Sequence, residues 1–330
     1  MVAGDVLHGS PFPEDCLRVA IDEVVDDNAR LPKPISDDMV TVGNALGTHV
    51  AWPTHLVVEK SIEKPDKKTR GKKILKESAV KNLSSLPSSL VALYCMMEKS
   101  FAGEGIRLPI DFEMFGQDLS VWILLKDDVI PFCNLEPITG NSIIAYICHS
   151  YGKMKTEGSL GRFMFVNPFT VSHNRQDSTE TRARKLADRL LQALSNQLVL
   201  VPCNVGGHWI LTIIDLEKDR VSLMDPICHR NKDTPWKLVV DTAMNIVNAH
   251  KGKKFKKTAS WEVVKGPIQP DASQCGFYVM KFMKEIITRY ELNAYTSLSS
   301  MFKNVKTYTE AEIDDIREEW ATFVIKHVFA

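Results

Sequence analysis

Apolar residues are unevenly spread along this chain, and their spacing divides it. Through residue 59 they come in short groups broken by Pro, Asp and Gly. The last of these groups, VTVGNALGTHVAWPTHLVV from Val40 to Val58, alternates between glycine turns in a way that predicts two or three short strands. So few apolar positions cannot bury an independent core, and residues 1–59 read as a small accessory segment. The stretch from Lys60 to Lys76, KSIEKPDKKTRGKKILK, is polar and carries Pro65 and Gly71, which makes residues 60–85 a solvated linker. From Leu86 the apolar density rises, and residues 86–330 read as one compact domain.

Inside that domain the periodicities are clear. Pro87 to Phe101 and the run from Ile143, IIAYICHSYGKM, predict helices, whereas SVWILL (Ser120 to Leu125) and FMFVNPF (Phe163 to Phe169) predict strands. STETRARKLADRLLQAL opens on capping residues near Glu180 and sets Ala183, Leu186, Leu190, Leu191 and Leu194 on one helical face. QLVLVPC, HWILTIIDL and RVSLMD then give three strands, the last two joined by the tight polar turn EKD into a hairpin. Thr234 to His250 is an amphipathic helix, and SWEVV a further strand. GFYVMKFMKEIITRY follows with Val279, Phe282, Met283, Ile286 and Tyr290 at helical spacing, preceded by the cap formers Asp271 and Ser273. A capping box, Thr309 with Glu312, opens a final packing helix carrying Ile313, Ile316, Trp320, Phe323 and Val324.

Charge sharpens the division. The formal net charge is +0, but residues 1–59 hold ten Asp/Glu against three Lys/Arg, and residues 60–76 hold eight Lys/Arg against two acids. An acidic head is thus followed by a basic strap. The strap reads first as a solvated linker and second as a nuclear-import signal or a weak nucleic-acid contact. The seven cysteines are odd in number and never spaced as CxxC, which argues against a disulfide framework or a zinc ribbon and for a reducing setting. The first twenty residues lack a signal-peptide pattern and no apolar run is long enough for a membrane helix, so the expectation is an unsecreted protein with no membrane contact.

One cysteine has chemical company. Cys275 falls at the start of the predicted helix GFYVMKF, where free backbone N–H groups and the positive end of the dipole favour an anion. A nucleophilic cysteine also needs a base and a group to orient that base. His208 begins one strand of the predicted hairpin, after Gly206 and Gly207, and Asp225 ends the other, so antiparallel pairing brings them side by side. An oxyanion needs aimed donors; Gln269 is the candidate side chain, with Gln274 nearer but less well motivated. Each residue alone has an ordinary explanation, because a free cysteine is often just a small core residue. Order and combination carry the reading.

The run GGHWILTIIDLEKDRVSLMD, then Gln269, five residues and Cys275-Gly276, resembles the catalytic domain of the ubiquitin-like-protein-specific protease family, also called sentrin-specific proteases. The resemblance extends from about Leu119 to the end of the chain. It implies a papain-like α+β fold with a central mixed sheet flanked by helices. It also implies His208 as general base, Asp225 as its orienting partner, Gln269 in the oxyanion hole and Cys275 as nucleophile. The implied activity is cleavage after the C-terminal Gly-Gly of a SUMO-like modifier by a monomeric enzyme, nuclear or nucleocytoplasmic, whose partners are the modifier and its conjugates and which needs no metal or organic cofactor. Family members hold the tail between two tryptophans: Trp209 matches one, Ile138 stands in place of the other, and Gly276 leaves room beside the nucleophile. Gln274 replaces the usual Asp. Val40 to Val57 also resembles a segment that precedes such a domain in plant transposon-encoded proteins. Two rival readings are acyl transfer to an amine by the same residues and a catalytically silent binding module.

Overall fold

The computed structural model describes residues 6–7, 10–11, 15–20, 26, 29–34, 40–45, 49–54, 80, 83–100, 105–172, 177–227, 235–252, 259–289 and 298–328. The strap from Lys60 to Lys76, Cys228, Tyr290 and most of the lysine run 251–257 lie outside the described residues. The chain divides into two compact units, Met1–Leu75 and Lys76–Ala330.

In the first unit, strand β1 (Cys16–Ala20) pairs antiparallel with β2 (His49–Pro53). Leu31, Ala45 and Val50 form a small buried cluster with Val19, Val42 and Trp52 against it. The sequence predicts two or three short strands across Val40 to Val58; His49–Pro53 is one, Val42–Ala45 is instead a helical turn that sends Ala45 into that cluster, and residues 46–48 and 55–58 lie outside the described residues.

The second unit is built on a five-stranded mixed sheet. A separate ribbon, β3 (Ile106–Pro109) with β4 (Val121–Leu124), precedes it. The sheet contains β5 (Phe163–Phe165), β6 (Leu198–Asn204), β7 (Trp209–Asp215), β8 (Arg220–Met224) and β9 (Ser260–Val263), in the spatial order β9-β8-β7-β6-β5. Its central pairs, β6 with β7 and β7 with β8, are antiparallel, and its outer pairs are parallel. Both faces are covered, which explains why Leu198 to Cys203 is apolar without interruption. Leu198 and Leu200 face one core, with Leu211, Ile213 and Met224. Val199, Val201 and Cys203 face the other, with Ile210, Ile214, Val221 and Leu223, as a period of two requires.

Helices α1 (Ser88–Ser100), α2 (Lys126–Asn134), α3 (Gly140–Glu157), α6 (Cys275–Arg289) and α7 (Glu310–Ile325) share the first core. Helices α4 (Thr179–Leu190) and α5 (Pro235–His250) cover the second. The α+β fold implied by the family resemblance is therefore present, with helices on both sides of a mixed sheet. Within it α6 is apolar nearly all round, from Phe277 to Ile287, and accordingly lies buried at the centre of its layer. The Thr309–Glu312 capping box forms as read, Thr309 N–H donating to Glu312 at 2.9 Å and Glu312 N–H to Thr309 at 3.3 Å.

Two predicted boundaries move. Helix α4 stops at Leu190 and leaves Leu194 62% exposed, because the chain turns through Asn196 (φ 62°) and Gln197 takes the Leu194 N–H at 3.0 Å. Strand β5 ends at Phe165, since Asn167 accepts the Phe169 N–H at 3.0 Å and Pro168 starts a helical turn, Pro168–Val171.

Candidate active site

The hairpin β7–β8 and the start of α6 meet at one point. Gly206 and Gly207 take φ values of 83° and 90°, which glycine adopts without a steric penalty, and the turn they make delivers His208 to the head of β7. Asn204 fixes this turn by accepting the Gly207 N–H at 2.7 Å, while Val205 N–H bonds the His208 carbonyl at 2.8 Å. Across the hairpin Met224 pairs with Leu211. Continuing that register sets Asp225 level with Ile210, one diagonal step from His208, a spacing that long side chains bridge.

The bridge is made: His208 Nε2 lies 2.7 Å from Asp225 Oδ1, with both groups largely buried. Ile227 N–H donates to the same carboxylate oxygen at 2.9 Å and holds it in place. Both residues sit one position outside their strands, which the sequence pattern had placed inside. Burial by itself would depress the His208 imidazole. The Asp225 carboxylate and the Cys275 sulfur, both hydrogen-bonded to it, outweigh that and raise it to about 9.

Cys275 is the first residue of α6 and only 2% exposed. Trp209 N–H donates to its Sγ at 3.4 Å, so the residue after His208 touches the sulfur directly. The first N–H groups of α6 have no intrahelical acceptor and put partial positive charge beside it. Three other buried thiols, Cys133, Cys148 and Cys203, lie inside their elements and not at a helix start. Desolvation pushes Cys133 up to about 11 and Cys148 and Cys203 up to about 12, which leaves them unreactive.

Gln269 is tied to the site through its backbone, its N–H donating at 2.9 Å to the carbonyl of Pro226, the residue after Asp225. Its side chain is buried; Nε2 donates to the Asp271 carbonyl, and Oε1 has no partner among the described residues. Gln274 is turned away, its amide donating to Asp271 Oδ2 at 2.9 Å. Asp271 acts less as a helix cap than as an organiser of the preceding turn. It accepts the Ser273 N–H at 2.8 Å and the Ser273 hydroxyl at 2.6 Å, and the Ser273 hydroxyl, first among these donors, holds its carboxyl below the usual range.

The remaining three predicted residues also come together. The indole Nε1 of Trp209 donates to the Ile138 carbonyl at 3.0 Å, and Trp209 and Ile138 are 4% and 5% exposed. A Cβ added to Gly276 would lie 2.4 Å from Ile138 Cγ1 and 3.3 Å from Trp209 Cδ1, so a side chain there would displace Ile138. Sequence reasoning missed the residues behind this wall. Asp128 takes hydrogen bonds from Thr139 and Asn141, Trp122 donates to Asn141, and the Phe169 ring lies against Gly140. The one available signal was an Asp in the first turn of a helix that follows a strand, a pattern too common to single out.

A cavity of about 790 Å³ lies elsewhere, against β5, lined by Phe112, Tyr151, Phe163 and Arg189 among others. It contains none of the residues above. Arg189, pushed down to about 10 by burial, spends its hydrogen bonds there on the carbonyls of Phe165, Glu113 and Met114 and on Gln192. That is a structural role.

A mixed sheet flanked by helices, with a cysteine at the head of the central helix, is the framework of a cysteine protease. Residues 141–328 match the model of the Ulp1 protease family, C-terminal catalytic domain, and the chain belongs to that family. Residues 1–60 match a domain of unknown function, DUF8039. A search of curated proteins finds no match. Among solved structures, the catalytic domain of a Chaetomium thermophilum Ulp1-like SUMO protease is similar at 14% identity, covering 74% of this chain and 91% of that one with a TM-score of 0.51. A crystal structure of a de-sumoylating protease is similar at 12% identity, 69% and 94% coverage and a TM-score of 0.50. The yeast Ulp1 protease domain in complex with SMT3 gives 14% identity, 74% and 98% coverage and a TM-score of 0.48. At such identities the first two likenesses are ones of fold.

Proposed function

We propose that this protein cleaves after the C-terminal Gly-Gly of a ubiquitin-like modifier of the SUMO type, with Cys275 as nucleophile. The observation that carries the reading is the meeting of three elements at one sulfur: Trp209 N–H on Cys275 Sγ at 3.4 Å, with the adjacent His208 held by Asp225 at 2.7 Å. His208 takes the thiol proton, and Cys275 attacks the terminal glycine carbonyl. The oxyanion is received by the Cys275 N–H and by the second amide hydrogen of Gln269, the first being engaged on the Asp271 carbonyl. Collapse expels the amine, which takes the proton from His208, and a water deprotonated by His208 then hydrolyses the thioester. Asp225 holds the ring in one orientation throughout.

The diglycine tail enters beside Trp209 and Ile138, whose close contact over Gly276 opens to admit it. An aliphatic wall at Ile138 grips one face of that tail less tightly than a second indole, so discrimination between modifiers falls more on their folded bodies. The solved relatives that share the fold are described as SUMO proteases, which favours a modifier of that class. We extend the reading to a monomer directed to the nucleus by the basic strap, with the Val40 to Val57 resemblance favouring a transposon-associated branch.

Linear fusions of a modifier panel, each bearing a short extension after Gly-Gly, test this by mass spectrometry of the products. Cleavage after the second glycine of at least one fusion, abolished by Cys275→Ala, is the expected result. Intact fusions throughout, or cleavage that survives Cys275→Ala, would overturn it.

A further inference from the structure

Asp128 is a buried carboxylate, 3% exposed, that forms no ion pair with any described residue. Neutral donors hold it instead. Leu125 N–H reaches Oδ2 at 2.8 Å, the Thr139 hydroxyl reaches Oδ1 at 2.6 Å, and the Asn141 amide reaches both oxygens at 3.2 and 3.1 Å. The Asp128 carbonyl also accepts the Ser142 hydroxyl at 3.2 Å. A buried charge left in water-free surroundings is costly unless several donors converge on it, and here they do.

What those donors belong to is informative. Leu125 stands at the N-cap of α2, and taking its N–H is the ordinary task of an aspartate three residues on, but Thr139 and Asn141 stand at the head of α3, just after Ile138. By taking the Thr139 hydrogen, Asp128 turns that hydroxyl so that its oxygen accepts the Ser142 N–H at 3.4 Å and caps α3. By taking the Asn141 amide hydrogens, it turns the Asn141 oxygen toward the Trp122 indole at 3.1 Å. Ile138 thus stands between Thr139, whose side chain this network holds, and Trp209, whose indole donates to its carbonyl, with its own side chain seated on Gly276 beside the nucleophile.

We infer that Asp128 is a positioning residue for the reaction, setting through Thr139 and Asn141 the place of the Ile138 wall against which the substrate tail lies. The inference rests on the function proposed above. It predicts that disturbing Asp128 impairs capture of a Gly-Gly tail while leaving the Cys275–His208 pair intact.

Two rates at Cys275 separate the possibilities, each followed by mass spectrometry on the full-length protein: reaction with a modifier carrying a C-terminal electrophile, and alkylation by iodoacetamide. Asp128→Asn should slow the first by about tenfold to 10²-fold, the scale of a small misplacement near a reacting centre, and leave the second within about twofold. The exchange variant Asp128→Asn with Asn141→Asp restores a charged acceptor for the amide and for Trp122, and should recover most of the loss. Thr139→Val keeps the carboxylate and serves if Asp128→Asn fails to fold; it should show the same selective slowing. Unchanged modifier rates, or equal slowing of both reagents, would overturn the positioning role. A wild-type protein that reacts with iodoacetamide but with no Gly-Gly electrophile would instead overturn the proposed function, and this inference with it.

Discussion

At the scale of single residues, the site depends on contacts that leave little freedom. His208 is raised to about 9 by Asp225 and Cys275 in spite of its burial, so an imidazolium facing the sulfur persists through neutral pH and is lost as pH rises through about 9. The basic limb of the kcat/KM profile should therefore fall near that value. In Asp225→Asn the limb should move to lower pH and the rate should drop by about 10²- to 10⁴-fold, the usual contribution of a positioned acid–base group. A profile that keeps its basic limb in that variant would show that Asp225 does not support His208. The same coupling favours the folded state below the ordinary histidine value and is withdrawn as pH rises past about 9, so the unfolding midpoint should decline across that interval in wild type and less in Asp225→Asn. Gly276 gives a second test. Gly276→Ala places a methyl 2.4 Å from Ile138 Cγ1, and activity should fall sharply in a protein that still folds. Adding Ile138→Ala should restore part of that activity by making room; no recovery would mean that the obstruction lies elsewhere.

At the scale of elements, helices hold one another by satisfying each other's ends. Arg317 of α7 donates from Nε to the Phe132 carbonyl at 3.3 Å and from Nη2 to the Cys133 carbonyl, closing the last turn of α2. Arg317→Leu leaves those acceptors buried and unpaired, and should cost about 1–3 kcal/mol in a denaturant titration. Thr309→Ala, which removes the cap of α7, should cost about 1 kcal/mol. Neither should alter Cys275 reactivity below the unfolding transition. Elements were also the level at which the sequence was most informative. The uninterrupted apolar run within QLVLVPC and the α7 capping box are local signals, and each formed where it was read. The hairpin placed His208 and Asp225 together because antiparallel pairing is itself a local rule. Other features depended on contacts between distant segments. Asp128, some eleven residues from Thr139 along the chain, gained its meaning only when α2 and α3 packed end to end, and the orientation of Gln274 was set by Asp271 rather than by its place beside Cys275. Leu194 and the second half of FMFVNPF were misplaced because side chains of Gln197 and Asn167 ended their elements early.

For the whole molecule, the division at Leu75 and Lys76 separates a unit with a small apolar cluster from one that contains every residue of the site. A chain of residues 76–330 should accordingly keep the unfolding transition of the catalytic unit and its Cys275 chemistry, as checked by calorimetry and alkylation. Loss of both would assign the first unit a part in folding. If the strap touches nucleic acid, neutralising its lysines should abolish a binding that in wild type weakens steeply with added salt. The central claim, that Cys275 takes a diglycine tail from a ubiquitin-like modifier, is tested most directly by offering the full-length protein a panel of such modifiers with C-terminal electrophiles and mapping any adduct by peptide mass. A stable adduct on Cys275, formed with at least one modifier and lost in Cys275→Ala, is the predicted result. A folded protein that forms no adduct with any of them, or forms one on a different cysteine, would contradict the account.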